Sequence, residues 1–145
     1  MKGDMVQAEV LLRRAVRHAP KFKQGWFNLA IVMRAQARLQ DAEKAYLSCM
    51  DAGGEESRAL LNLAILLGEM NRFAEAEARA RRSIELEPTQ AQAHVSLGML
   101  LKDQGRLPEA MEVLRHALEV DPKDQAAHSC LLFVSNCIPD MDPLV

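Results

Sequence analysis

The sequence has 145 residues, 49% of them hydrophobic and 26% charged, which is the composition of an ordinary globular chain and not of a disordered one. Its 18 basic and 20 acidic residues leave a net charge of −2, so there is no electrostatic footprint for nucleic acid. No uninterrupted apolar run approaches the roughly 18 residues of a membrane span, and the N-terminus, MKGDMVQAEVLLRR, lacks the apolar stretch of a secretory signal.

In chain order the sequence predicts one helix over Val6–His18, three two-helix units over Lys23–Glu56, Ser57–Gln90 and Ala91–Asp124, and a last single helix over Gln125–Ile138. A constant period of 34 carries this reading. Ala8, Ala42, Ala76 and Ala110 are equally spaced, as are Leu29, Leu63, Leu97 and Leu131. Pro20, Gly54, Pro88 and Pro122 form a third series, and Met5, Leu39, Phe73 and Leu107 a fourth. Within the third unit, His94, Leu97, Gly98 and Leu101 mark one buried stripe, and Ala110, Val113, Leu114, Ala117 and Leu118 mark another. Gly105 supplies the turn between them, and Asp121-Pro122 ends the second helix. Small residues at Ala30, Ala64 and Gly98 let the two helices of a unit approach closely, and larger ones such as Tyr46 and Leu114 fill the remaining space. A single unit cannot bury both of its faces, so the units must stack into an α-solenoid. Residues 1–138 form one domain, and 139–145 are a tail or the start of a linker to a further domain.

The block AQAHVSLGMLLKDQGRLPEAMEVLRHALEVDP resembles a tetratricopeptide repeat, as do the triplets Trp26, Leu29, Ala30; Leu60, Leu63, Ala64; and His94, Leu97, Gly98. The resemblance covers nearly the whole chain. It implies an all-α, right-handed superhelix of helix-turn-helix repeats whose first helices line a concave groove for a protein or an extended peptide.

Positions on those first helices that internal packing does not use are the candidate binding residues. They are Gln24, Phe27, Asn28, Ile31 and Arg34; Arg58, Leu61, Asn62, Ile65 and Glu69; Gln92, Val95, Ser96, Met99, Lys102 and Asp103; and Phe133 with its neighbours on the last helix. Asn28 and Asn62 share a register, and their amides offer both donor and acceptor to a peptide backbone. Ile31, Ile65, Met99 and Phe133 form an apolar rail beside them. In the family's chaperone-binding members a carboxylate clamp uses a lysine and an asparagine where this sequence has Phe27 and Ile31, so that specialisation is not expected.

No nucleophile elbow, phosphate-binding glycine loop or HExxH motif occurs, so no catalytic residue and no cofactor is expected. The odd cysteine count, Cys49, Cys130 and Cys137, contains no CxxC pair and points to free thiols in the cytoplasm. Cys130, Cys137 and His128 lack a fourth ligand at suitable spacing, so no metal is expected. Glu75–Arg79 and Glu77–Arg81 are expected as salt bridges on an outward face.

The segment AAHSCLLFVSNCIPDMDP is similar to the junction that ends the repeats in bacterial relatives of O-linked N-acetylglucosamine transferase. His128, Ser129, Leu131, Leu132, Phe133, Asn136, Pro139 and Asp140 carry the similarity, with Cys130 in place of an asparagine. That resemblance implies that the chain is the acceptor-recognition part of a glycosyltransferase, with Asn28 and Asn62 holding the acceptor polypeptide. A stand-alone scaffold or assembly adaptor is the alternative, and Leu132 with Phe133 on the last helix offers a surface for a homodimer.

Overall fold

The computed structural model describes residues 2–53 and 56–139, and every regular element within them is a helix. These are α1 (Lys2–His18), α2 (Lys23–Ala35), α3 (Leu39–Gly53), α4 (Ser57–Glu69), α5 (Phe73–Leu86), α6 (Ala91–Asp103), α7 (Leu107–Val120) and α8 (Gln125–Cys137). Helix α1 extends beyond its expected start at Val6, and Ile138 caps α8 instead of belonging to it. Gly54, Asp140, Pro143 and the rest of the 140–145 tail lie outside the described residues.

Helices pack in pairs, α2 on α3, α4 on α5 and α6 on α7, and each pair leans on its neighbours in sequence. Helix α4 also touches α6, and α6 touches α8, whereas α3, α5 and α7 make no comparable contact with one another among the described residues. The first helices therefore lie on the inner, shorter side of the stack and the second helices on the outer side.

The close approach within a pair is steric. Ala30, Ala64, Ala42, Ala76 and Ala110 are fully buried. A methyl group added at Gly98 would come within 2.7 Å of the Leu114 side chain on the facing helix. In the repeat register, Leu114 corresponds to Tyr46 in the first pair and Ala80 in the second. Where Ala80 and Ser83 thin the second pair, polar groups fill the space: the Ser83 hydroxyl donates to the Ser57 carbonyl at 2.8 Å, and the Ser57 hydroxyl donates to Gln90 Oε1 at 2.8 Å. Ser83 is thus completely buried but satisfied.

Each first helix stops in the same way. Ala37, Asn71 and Gly105, one period apart, all take positive φ, at 61°, 60° and 76°. The next residue's N–H reaches back to the carbonyl five positions earlier: Arg38 to Met33, Arg72 to Leu67 and Arg106 to Leu101, each at 2.9 Å. This is the Schellman closure, and it favours glycine because a Cβ in the left-handed region crowds the backbone. Asparagine tolerates the conformation; alanine at position 37 carries the strain.

The residue after each of these turns is an arginine that ties three elements together. Arg38 binds Asp41 at 2.9 Å and reaches Glu9 of α1 at 2.6 Å. Arg72 binds Glu75 and reaches Glu43 of α3 at 2.7 Å; Arg106 binds Glu109 and reaches Glu77 of α5 at 2.6 Å. Glu9, Glu43 and Glu77 share the period of the arginines, so this is one ladder running up the outer side. It corrects part of the expected surface pairing: Glu75 hydrogen-bonds Arg72 and not Arg79, because the arginine at the helix start is held in place by the turn. The Glu77–Arg81 pair does form, and Arg106 joins it.

A second periodic device sits at the loops. The Trp26 ring N–H donates to the Pro20 carbonyl at 2.9 Å, and the Nε2 atoms of His94 and His128 lie 3.0 and 2.8 Å from the carbonyls of Pro88 and Pro122. A carbonyl only accepts, so Nε2 carries the proton in both histidines. The unit that has Gly54 in place of a loop proline also has Leu60 in place of the ring donor. Ring and proline occur together.

Two outcomes follow from the turns and the ladder. Ala37→Gly is expected to raise the unfolding free energy by about 1 kcal/mol and Gly105→Ala to lower it by a similar amount, read by urea denaturation. For the ladder, hydrogen bonds from Arg38 and Arg13 hold Glu9 below the ordinary glutamate range. Burial pushes Glu77 up, but hydrogen bonds from Arg106 and Arg81 outweigh it and hold this carboxyl low as well. A folded-state value below the unfolded one gives stability that is present above about pH 4.3 and lost as pH falls through the folded value. The urea midpoint should therefore drop below that pH, and Glu9→Gln with Glu77→Gln should lower the midpoint at pH 7 and shrink the acid-induced drop.

Candidate functional site

The inner side is formed by α2, α4, α6 and α8, and its most exposed apolar residues recur once per repeat. Ile31, Met99 and Phe133 are 44%, 42% and 55% exposed, and Ile65 in the same register is half-buried. Core positions on these helices are almost completely covered, so this row of large apolar side chains is the exception. Exposed apolar surface in a continuous line is the usual mark of an interaction site.

The two asparagines lie beside the row, Asn28 exposed and Asn62 half-buried. Gln24 donates to Asn28 Oδ1 at 3.0 Å, which leaves the Asn28 amide hydrogens unused. Asn62 Nδ2 donates to the carbonyl of Arg58 in its own helix at 2.9 Å, which leaves Asn62 Oδ1 unused. One amide thus has a spare donor and the other a spare acceptor, the two functions that a peptide unit complements.

Several candidate residues form the wall and not the lining. Phe27, Leu61, Val95 and Ser96 are buried. Phe27 is covered by Arg58, whose guanidinium carbon lies 4.5 Å from the ring centroid, and it meets the Tyr46 ring edge-on at 5.8 Å. A helical pattern places Phe27 on the inner side, but only the neighbouring helix decides that an arginine covers it. Gln24, Arg58 and Glu69 are exposed, while Arg34 and Lys102 are half-buried.

Charged groups bridge adjacent inner helices. Arg34 at the end of α2 holds the Glu69 carboxylate at the end of α4, with Nε 3.2 and 3.1 Å from the two oxygens and Nη2 on Oε1. Hydrogen bonding to Glu69 raises the Arg34 pKa further above its ordinary value. Lys102 lies 3.6 Å from Asp103 and 5.1 Å from the centre of the Phe133 ring, joining α6 to α8.

Sequence reasoning assigned Tyr46 to packing alone. This tyrosine on α3 is completely buried, and its hydroxyl has no hydrogen-bond partner. Burial pushes its pKa up, Arg34 acts against that shift, and Glu69 and Arg58 also act on it, so the phenol lies within the field of the groove's charged residues. Its signal in the sequence is that the only tyrosine stands where the other units have Leu12, Ala80 and Leu114.

Among the described residues no three His, Cys, Asp or Glu side chains gather into a metal-binding group, and no helix is long and apolar enough to cross a membrane.

The sequence matches the family profile described as Tetratricopeptide repeat over residues 3–53 and 61–127. No curated protein matches it significantly. Among solved structures, MamA from Desulfovibrio magneticus RS-1 superposes with a TM-score of 0.85 at 18% identity, covering 94% of this chain and 77% of that one. YrrB, described as a TPR protein with an unusual peptide-binding site, gives 0.73 at 18% identity over 95% of this chain and 80% of that one. The first TPR of Spaghetti, bound to the HSP90 peptide SRMEEVD, gives 0.75 at 21% identity over 79% of this chain and 91% of that one. At these identities the shared property is the fold.

An unpartnered buried hydroxyl costs about 1–3 kcal/mol, so Tyr46→Phe is expected to raise the unfolding free energy by roughly 1 kcal/mol or more, measured by urea denaturation.

Proposed function

The chain belongs to the tetratricopeptide repeat family, and we propose that it is a peptide-binding module that holds an extended polypeptide along the inner faces of α2, α4, α6 and α8. The observation that carries this reading is the exposed row Ile31, Met99 and Phe133, with Ile65 half-buried between them, flanked by Asn28 and Asn62 with unused hydrogen-bonding capacity. The apolar row accepts alternate side chains of the ligand, and the amides bond its backbone. Gln24, Arg34, Arg58, Glu69 and Lys102 give the rim its polarity. Phe27 and Ser96 support it from beneath. The residues supply binding and orientation, and no step of bond making is assigned to them.

The finer reading is that this groove recognises the acceptor polypeptide of a larger, cytoplasmic glycosyltransferase-like protein. What supports it is the run from His128 to Asp140 and the common register of Asn28 and Asn62. A stand-alone scaffold uses the same groove without a transferase. The exposure of Leu132 and Phe133 on α8 favours an additional contact there, with a second copy of the chain as one candidate.

Replacing Asn28 and Asn62 together by alanine is expected to weaken an extended peptide ligand by about 1–3 kcal/mol while leaving thermal stability nearly intact. Titration calorimetry with a peptide captured from a library on the unmodified chain provides the measurement. Equal affinity for both proteins would remove the groove assignment.

A further inference from the structure

Between α2 and α4 the inner face holds an arrangement that the peptide-groove reading does not require. Arg34 grips a carboxylate, that of Glu69, through two of its nitrogens. Arg58 stacks on Phe27, and its guanidinium has no acceptor among the described residues. Beneath them the Tyr46 hydroxyl is completely buried and unpartnered. Buried polar groups in folded proteins are overwhelmingly satisfied, so an orphan phenol under a charged pair calls for a reason.

We infer that this stretch is a recognition site for a carboxylate of an acidic peptide, and that Glu69 occupies it as an intramolecular stand-in. The inference rests on the groove reading and specifies its ligand. Without Glu69, the groups facing this stretch are two guanidiniums and one phenol, all of them donors. A donor set of this kind suits an anion and repels a lysine or arginine side chain. The planar two-point contact that Arg34 already makes is the geometry of a carboxylate. When a ligand carboxylate displaces Glu69 from Arg34, the opened pair uncovers the Tyr46 hydroxyl, which gains the acceptor that the free protein lacks. Glu69 is exposed and sits on the last turn of α4, so its side chain can swing into solvent without moving the helix. The displaced pair and the new one are nearly equivalent in charge. Selectivity therefore comes from Tyr46 and Arg58, which Glu69 leaves unused.

Fluorescence anisotropy with three labelled peptides of one length tests this, each a glycine-serine chain carrying three glutamates, three glutamines or three lysines. The glutamate peptide is expected to bind best and to weaken as salt rises. Glu69→Gln should tighten it about ten-fold, since the internal competitor is gone, and Arg34→Gln should weaken it about ten-fold or more. Tyr46→Phe should weaken it several-fold even though that variant is at least as stable as the parent, so lost folding does not explain the effect. Circular dichroism melts verify that each variant is folded. A glutamate peptide that binds Glu69→Gln no better than the glutamine or lysine peptide overturns the inference. In that event, loss of glutamine-peptide binding in the Asn28→Ala, Asn62→Ala protein would preserve the groove reading, and indifference to those changes would end both.

Discussion

The constraint on which the structure depends is how closely two helices of a pair can approach. At Gly98 there is no space for even a methyl group beside Leu114, and at the equivalent positions 30 and 64 the sequence keeps alanine. That approach sets the angle within a pair, and the constant interval between units repeats the angle along the chain. From it comes an inner side where first helices meet and an outer side where second helices diverge. Packing of this kind transmits small errors of volume, because interiors are close-packed and an extra methylene must displace a neighbour. Ala80 and Ser83 show the opposite case: side chains too small to fill the crossing are compensated by a satisfied cluster of Ser57, Ser83 and Gln90.

Two further devices make the repeat rigid, and they act on different parts. The arginine ladder of Arg38, Arg72 and Arg106 pins each turn to the preceding outer helix. Exposed ion pairs of this kind individually contribute little. Here each arginine serves an acid at its own helix start and one across the interface, so the same side-chain ordering supports two contacts. The ring-to-proline bonds of Trp26, His94 and His128 pin the loops on the other side of the repeat. Proline removes a backbone donor and presents a loop carbonyl; the ring N–H six residues later answers it.

The period, the helix pairs, the small crossing residues and the turn positions were legible in the sequence because each is a local pattern repeated in register. The ladder was legible too, in the spacing of Arg38, Arg72 and Arg106 and of Glu9, Glu43 and Glu77, but i, i+4 pairing on one helix was the nearer template and drew attention to Glu75–Arg79 instead. The inner surface was less legible. Helical phase places Phe27, Ser96 and Ile31 on that side alike, and only the next repeat decides that the first two are covered while Ile31 stays open. The Arg34–Glu69 pair is separated by one position more than the period, and no single-helix rule reports it. Nor does any pattern of apolar residues show that a buried tyrosine lacks a partner.

The separation of registers explains how one fold can carry many ligands. Crossing residues at 30, 64 and 98 and their partners face within a pair, the ladder runs up the outer side, and positions 28, 31, 34 and their equivalents face the inner hollow. A change at 31 or 34 therefore alters what the groove presents without touching the close approach that holds the pair together. Tyr46 is the exception. It fills the crossing opposite Ala30 and also places an unsatisfied hydroxyl under Arg34, so the first pair couples stability to the groove in a way that Ala80 and Leu114 cannot. Phenylalanine would fill the same volume without the cost of a buried phenol. A tyrosine at that site is intelligible where the hydroxyl gains a partner, and the partner must approach from the side that Arg34 and Glu69 now close.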